Sequence, residues 1–325
     1  MALEPVDEAH ALQIQAGVLG RHSGHRFEDA ITATINALPF PIVVPVRAPG
    51  HVGKGDPALI LLARIGEHLG LTKIEAAHAL STGALTTSEE GKRWLSINGI
   101  SLSRCKSDIV VTVRTGGQIV ATVGVSTKQC NNAEPTNAQL YFTTASGFAG
   151  LLARNGLSIS NSAVNALRSF CGEPGHRPLD HADSMVARAI DPRRYFWEEI
   201  ASDGRAELEL LFSVQQETVT RLLLQKAYLD DPFTPEFLLH KTKRSTSVEQ
   251  TEVAIYPIDE LVRLSAKYRG FATRPYSIHK GSYRDPPGVV HLAPRFGIVQ
   301  MQRGGQKQHP DQLQFNLEAG YFYRL

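Results

Sequence analysis

Apolar residues recur at helical spacing in RFEDAITATINAL (26–38), where Phe27, Ile31, Ile35 and Leu38 share one face. Pro39 and Pro41 stop that helix. IVVPV (42–46) is a short extended run before a Gly-rich loop, APGHVGKG. Asp56 as N-cap, Pro57 in the first turn and Gly70 as terminator bracket a helix over 57–69. Residues 72–80 and 88–95 read as short helices. The period then changes from helical to alternating. DIVVTVR (108–114) and QIVATVGVSTK (118–128) are β-branched runs joined by Thr115-Gly116-Gly117, which predicts an antiparallel hairpin. Helices are expected at 144–155 and 160–170, a loop over 171–192, and mainly helix over 193–228. Pro232 and Pro235 break the chain, KTKRSTS (241–247) is a charged loop, and a helix covers 257–268. FGIVQMQR (296–303) and QLQFNLE (312–318) are strand-like. Alternation sets Val299 and Met301 against Gln300 and Gln302, and Leu313, Phe315 and Leu317 against Gln312, Gln314 and Asn316.

With 325 residues, 42% apolar and 20% charged, the chain can bury a sizeable core and is not globally disordered. Three cysteines cannot build a disulfide framework and fit a reducing compartment. No apolar run approaches the roughly 20 residues of a membrane span. The acidic N-terminus lacks the marks of a signal peptide. A soluble, cytoplasmic protein without membrane contact is expected. The net charge of +2 hides an asymmetry, because residues 240–325 carry 13 basic and 7 acidic side chains. That surplus suits either a polyanion-facing surface or an ordinary solvated face.

Three groups of residues carry candidate chemistry. Asp108 opens one hairpin strand and Lys128 closes the next. If Arg114 pairs with Gln118 across the turn, Asp108 shares a face with Gly124, Ser126 and Lys128. A carboxylate beside an ammonium there can hold Mg²⁺ and orient a water, or can be a surface salt bridge. In the second group, Glu28 sits in the first helical turn behind a basic loop carrying Arg21, His22, His25 and Arg26. There it can compensate the helix dipole or add a second carboxylate to a metal, with Arg21, His25 and Arg26 meeting phosphates. The third group is the amide face and its loop: Gln300, Gln302, Arg303, Lys307, Gln308, His309, Gln312 and Gln314. Amides can bond adenine and cations guanine on a ribbon laid in the major groove, or the face can simply be solvated. Lys243, Lys280 and the surrounding cations in 240–244 and 274–284 are candidate phosphate contacts.

Gly24, Phe27 and Glu28 on a helix, Lys-Ser-Asp (106–108) opening a strand and Ser-Thr-Lys (126–128) closing the next together resemble the core of PD-(D/E)XK nucleases. The pattern is most similar to type II restriction endonucleases, several of which carry Ser-x-Lys in the last motif. The resemblance covers roughly residues 20–150. It implies an α/β fold with a mixed central β-sheet flanked by helices, restriction-endonuclease-like, followed by a C-terminal β-hairpin. With the helical and charge patterns of the rest of the chain, one nuclease domain is expected over 1–325, with a catalytic core at about 20–155, a mainly helical region at 156–240 and a basic β-ribbon region at 241–325. By the same resemblance Asp108 is the central Mg²⁺ ligand, assisted by Glu28 and the Thr127 carbonyl, and Lys128 is the catalytic lysine. Ser107 stands in for the motif's proline. Ser126 stands in for its second acid and leaves the metal one anionic ligand short, with Glu28 or Glu134 as substitutes.

The implied activity is site-specific cleavage of double-stranded DNA by a homodimer, leaving 5′-phosphate and 3′-hydroxyl ends. A catalytically inactive, sequence-specific DNA-binding protein on the same scaffold is the alternative, and a hydrolase with a cysteine nucleophile is a third. Cys171, His176 and His181 lack zinc spacing, and GHVGKGD (50–56) lacks the P-loop spacing. In YFWEE (195–199) the aromatics are expected to pack, leaving Glu198 or Glu199 solvated.

Overall fold

The computed structural model describes residues 25–45, 50–82, 96–102, 104–130, 137–181, 183, 190–228, 230–241, 251–279, 283–303 and 311–325. The expected helix at 88–95 and the expected loop at 241–247, apart from Lys241, lie outside these residues, and Lys241 is the last residue of a strand. Helix α1 spans 25–37 and α2 spans Pro57–His68. Asp56 caps α2 by accepting from Ala58 N at 2.8 Å. The central strands are β2 (Val52–Lys54), β4 (Ala76–Ser81), β7 (Ile109–Thr115), β8 (Gln118–Gln129), β10 (Pro235–Lys241) and β11 (Glu252–Pro257). They form one six-stranded sheet in the order β2-β11-β10-β8-β7-β4. Only β10 and β8 run parallel there, so the sheet is mixed. Short β1 (Ile42–Val43) pairs with β3 (Lys73–Ile74), and β5 (Ser96–Ile97) with β6 (Ile100–Ser101).

A second sheet of five strands has the order β12-β13-β14-β15-β9. Its members are β9 (Ala138–Thr143), β12 (Phe271–Tyr276), β13 (His291–Phe296), β14 (Val299–Arg303) and β15 (Leu313–Leu317). The described residues also form helices α3 (Ala145–Arg154), α4 (Asn161–Cys171), α5 (Ser202–Val214), α6 (Gln216–Gln225), α7 (Ile258–Ser265) and the short α8 (Ala319–Phe322). Alternation along the central strands divides the buried side chains between two cores. Phe237, Leu239, Val253 and Ile255 join Ile31 and Ile35 of α1 and Leu61 and Ile65 of α2. Leu238, Ala254 and Tyr256 join Phe148, Phe212, Phe296 and Phe315 on the other side. The sheet is therefore flanked by helices on both faces, as expected.

Several local expectations are corrected. Residues 72–80 are not helical but fall in β3 and β4. Their Ala, Glu and Leu content favours helix, and pairing with β7 overrides it. Asn36 of α1 both donates to Ala79 O (2.9 Å) and accepts from Ala79 N (2.8 Å), which closes that sheet edge. Val52–Lys54, read as loop, is an edge strand. His25 and Arg26 open α1 rather than a preceding loop. Pro235 breaks no element: it starts β10, beside β8. Strands β10 and β11 lie outside the 20–155 stretch where the core was expected. The run 296–303 turns at Gly297 (φ 54°) between β13 and β14.

The hairpin register differs in detail and agrees in consequence. Thr115 pairs with Gln118 across Gly116 and Gly117, whose φ values of 60° and 76° suit glycine. That register alone would pair Asp108 with Val125, on the wrong face. A bulge between Val113 and Arg114 lets Ile119 and Ala121 face consecutive partners, with Val120 as the extra residue. Beyond it Ile109 faces Val125, so Asp108 comes level with Ser126.

Gly124 in β8 permits close packing at the root of the hairpin. A Cβ there would lie 2.3 Å from Ser107 Oγ and 2.7 Å from the Thr234 carbonyl oxygen. Gly124→Ala is expected to destabilise the protein by about 2 kcal/mol, in the range of overpacked cores. Gly53→Ala, whose Cβ would meet Ile60 Cδ1 at 3.8 Å, serves as the tolerated control. Urea unfolding of both variants checks this, and equal midpoints would refute it.

Candidate active site

The C-terminal end of β8 brings the motif residues together. One oxygen of Asp108, Oδ2, accepts from Thr127 N at 2.6 Å, Ser126 Oγ at 3.1 Å and Lys128 Nζ at 3.3 Å. Lys128 Nζ also donates to Ser126 Oγ at 2.9 Å and to the Thr127 carbonyl at 2.7 Å. Asp108 and Lys128 keep 29% and 21% side-chain exposure, so the pair is reachable from solvent. Strand alternation sends Ser126 and Lys128 to one face and Thr127 to the face covered by α1. There Thr127 Oγ1 donates to Glu28 Oε1 at 2.9 Å. Thr127 thus ties both carboxylates, one through its amide and one through its hydroxyl.

Glu28 is buried, and its Oε2 has no hydrogen-bond partner among the described residues. Its carboxyl pKa is pushed up to about 7, first by burial and next by the negative charge of Asp108. The Thr127 hydrogen bond and the Lys128 charge oppose that rise. Glu28 lies 99 residues before Thr127 in sequence, and α1 delivers it by packing Ile31 and Ile35 into the core.

Two further residues belong to this surrounding. Lys106 Nζ donates to the Leu140 carbonyl at 2.9 Å, and the ammonium lies 5.3 Å from the Tyr141 ring centroid. Burial, then the Lys128 charge, pushes its pKa down to about 7. His240 pairs with Lys128 across the parallel β8/β10 ladder and is fully buried. Its ring Nδ1 meets Tyr323 Oη at 2.7 Å, and its pKa is pushed down to about 4 by burial and then by Lys128. It is therefore not a surface phosphate contact. Sequence reasoning gave neither residue a place here. Lys106 was visible as the first member of Lys-Ser-Asp, whereas His240 enters only through strand pairing.

The donor set suits a hard divalent cation: two carboxylates, one carrying an orphaned buried oxygen and an acidity depressed by its like-charged neighbour. Among the described residues, no three His, Cys, Asp or Glu side chains are grouped to hold a metal. The Thr127 carbonyl, expected as a third donor, already accepts from Lys128. Cys105 and Cys171 have pKa values pushed up to about 12 by burial, which leaves them protonated and poor nucleophiles.

The remaining expected residues are dispersed. Arg26 is exposed and His25 half-buried at the start of α1. Arg21, Glu134, Lys243, Lys280, Lys307, Gln308 and His309 lie outside the described residues. Gln300, Gln302 and Gln314 share a side of the second sheet, with Gln302 directly opposite Gln314. They line a cleft instead of an open ribbon surface, and the Arg303 side chain is buried, 4.0 Å from Asp191. Glu198 is not merely solvated: it accepts from Leu292 N at 3.0 Å and lies 2.8 Å from His291 Nδ1, while Glu199 accepts from Phe196 N at 2.8 Å.

No protein-family model and no curated protein matches the chain. Among solved structures, the crystal structure of restriction endonuclease MspI in complex with its cognate DNA is similar over 80% of this chain and 78% of that one, at 12% identity and a TM-score of 0.42. No helix among the described residues is long and apolar enough to cross a membrane.

The raised Glu28 pKa has a signed consequence. A carboxyl held protonated to about pH 7 stabilises the fold fully below its unfolded pKa near 4.5, and that contribution is lost as pH rises through 7. In metal-free buffer Glu28→Gln keeps the bond from Thr127 and avoids the buried charge. Its melting temperature should equal that of the wild type near pH 4 and exceed it by several degrees at pH 8. A difference independent of pH would overturn this reading.

Proposed function

We propose that the protein is a Mg²⁺-dependent, site-specific double-stranded DNA endonuclease of the restriction type. The observation supporting it is the convergence of Asp108, Lys128 and the buried Glu28 on Thr127 at the end of one hairpin. Hydrolysis of a phosphodiester needs a water aimed at phosphorus and compensation of the charge that builds on the phosphate oxygens. Lys128 carries the cation for this work. Its ammonium is already aimed by Ser126 Oγ and the Thr127 carbonyl, so little reorganisation is needed to hold an attacking water. Asp108 holds Lys128 in place through the 3.3 Å contact, and Glu28 brings a second carboxyl group from the other side of β8. Asp108 and Glu28 would hold Mg²⁺, which when bound supplies Lewis-acid stabilisation of the phosphate and a more acidic water. The products are 5′-phosphate and 3′-hydroxyl ends. A homodimer would match a palindromic target, and sedimentation with cognate DNA is expected to give a dimer.

One observation favours a second reading. Ser126, in the place of an acid, spends its hydroxyl on Asp108 and Lys128. A catalytically inactive, sequence-specific DNA-binding protein would tolerate that loss of an anionic ligand.

Digestion of unmethylated phage DNA separates the two. Discrete bands are expected with Mg²⁺ and none with EDTA. Lys128→Ala should lower the cleavage rate at least ~100-fold, within the range for a positioned proton-handling group. Sequencing the fragment ends then gives the cut position. Absence of cleavage from several unmethylated DNAs, with specific gel shifts unchanged in the variant, would replace the endonuclease by the inactive DNA-binding protein.

A further inference from the structure

The second sheet ends on β9, which has no strand on its outer side among the described residues. Its register against β15 carries the amide face beyond the recessed positions of β14 and β15. Cross-strand partners stand on the same side of a sheet. Gln300, Asn316 and Gln139 therefore form one row across β14, β15 and β9, and Gln302, Gln314 and Phe142 form the next. A register shift between Phe315 and Asn316 sets this arrangement. It leaves Leu140 as the extra residue of β9, and Leu140 and Tyr141 both pack on the core. Gln139 and Phe142 are thereby kept on the amide side. Both are exposed, Phe142 at 43%.

The two rows hold amides and one phenyl ring, and no charged side chain. A solvated protein surface ordinarily mixes both signs of charge. Arg295, the partner of Gln300 on β13, is engaged elsewhere. Its Nη1 donates to the Gly297 carbonyl at 2.7 Å, and its guanidinium lies 4.7 Å from the Tyr321 ring centroid. The amides are also aimed. Gln314 Nε2 donates to Asn316 Oδ1 at 3.0 Å and to Gln139 Oε1 at 3.3 Å. Asn137, exposed just before β9, donates from Nδ2 to Gln300 Oε1 at 2.9 Å. Gln139 keeps its Nε2 hydrogens and a second lone pair on Oε1, with no other side-chain hydrogen bond among the described residues.

This pattern matches one base pair better than the other. Adenine presents an acceptor, N7, beside a donor, its N6 amine, and one glutamine amide meets both at once. Guanine presents two acceptors that suit Arg or Lys, and the cytosine amine suits a carboxylate. Neither kind of group stands in the two rows. The thymine methyl group takes an apolar contact such as a phenyl ring. A major groove about 12 Å wide admits a two-stranded ribbon. Strand β14 is flanked on both sides, so the edge pair that carries the amides is β15 with β9. Its placement also suits a substrate shared with the candidate active site. Lys106, two residues before Asp108, donates to the Leu140 carbonyl of β9 at 2.9 Å, so one side chain joins the two.

We propose that the β15–β9 edge ribbon reads A·T base pairs in the DNA major groove, Gln139 bonding the adenine edge and Phe142 covering the thymine methyl group. This assignment rests on the DNA binding that both readings above share, and not on cleavage.

Selection from a randomised duplex library by the full chain, in EDTA and separately with Ca²⁺ in place of Mg²⁺, gives the preferred sequence from binding alone. That sequence is expected to contain at least one A·T pair whose replacement by G·C weakens binding at least about tenfold, the scale of one bidentate contact. At that pair 7-deazaadenine, which lacks the N7 acceptor, and uracil, which lacks the methyl group, are expected to weaken binding as well. Gln139→Ala should abolish the 7-deazaadenine penalty, and Phe142→Ala the uracil penalty. The base analogues are read with the wild-type protein, so they keep the test decisive if a variant does not fold. A preferred sequence without A·T pairs, no preference over random duplex in either condition, wild-type indifference to both analogues, or penalties unchanged in the folded variants would overturn the ribbon. Cleavage at discrete sites with the penalties unchanged in the variants sinks the ribbon and keeps the endonuclease. Penalties abolished in the variants, with no cleavage by the wild type in Mg²⁺, do the reverse.

Discussion

The direction in which Asp108 faces is set at the far end of its hairpin, by a two-residue glycine turn and one extra residue in β8. The turn alone would put Asp108 level with Val125, its carboxylate on the α1 side. The bulge at Val120 shifts the register by one and returns Asp108 to the side of Ser126 and Lys128. Because side chains alternate with period two, such a shift acts on every position beyond it. The Asp108–Lys128 ion pair, the Ser126 hydrogen bond and the link through Thr127 to Glu28 all depend on this parity.

Parallel pairing with β10 makes the same strand central, and this has an electrostatic consequence. Strand β8 lies between β7 and β10, and Ser126 and Thr127 within it are buried. In that environment Glu28 resists ionisation, His240 resists protonation, and Lys106 loses part of its basicity. Asp108 and Lys128, partly exposed at the strand end, remain within reach of solvent. The site thus combines a reachable ion pair with a dry support whose charges are easily shifted.

The second sheet uses alternation differently. Its apolar side, with Val299, Met301, Leu313 and Phe315, is part of the larger core. Its amide side is recessed under the 191–194 turn, so polar residues suited to an open surface become part of a cleft. Arg303 shows the limit of the alternation rule: its guanidinium is buried beside Asp191, a residue 112 positions away in a loop without periodic signal.

Local pattern made much of the architecture legible. The hairpin at 108–128, the capped helix after Asp56, the helices after Thr144 and Ser160 and the two amide-bearing strands all follow from short-range periodicity and capping chemistry. The Asp108, Ser126 and Lys128 grouping was legible too, because the alternation of one hairpin relates them. The sequence by itself also showed an apolar content sufficient for a core and too few cysteines for a disulfide framework. Tertiary structure decided the rest. It turned the helix-favouring 72–80 into strands, placed β10 against β8, buried His240, lowered the basicity of Lys106 and enclosed the amide face. Each of these is set by partners far away in the chain, through strand pairing and desolvation, and neither leaves a periodic trace in the residues it acts on.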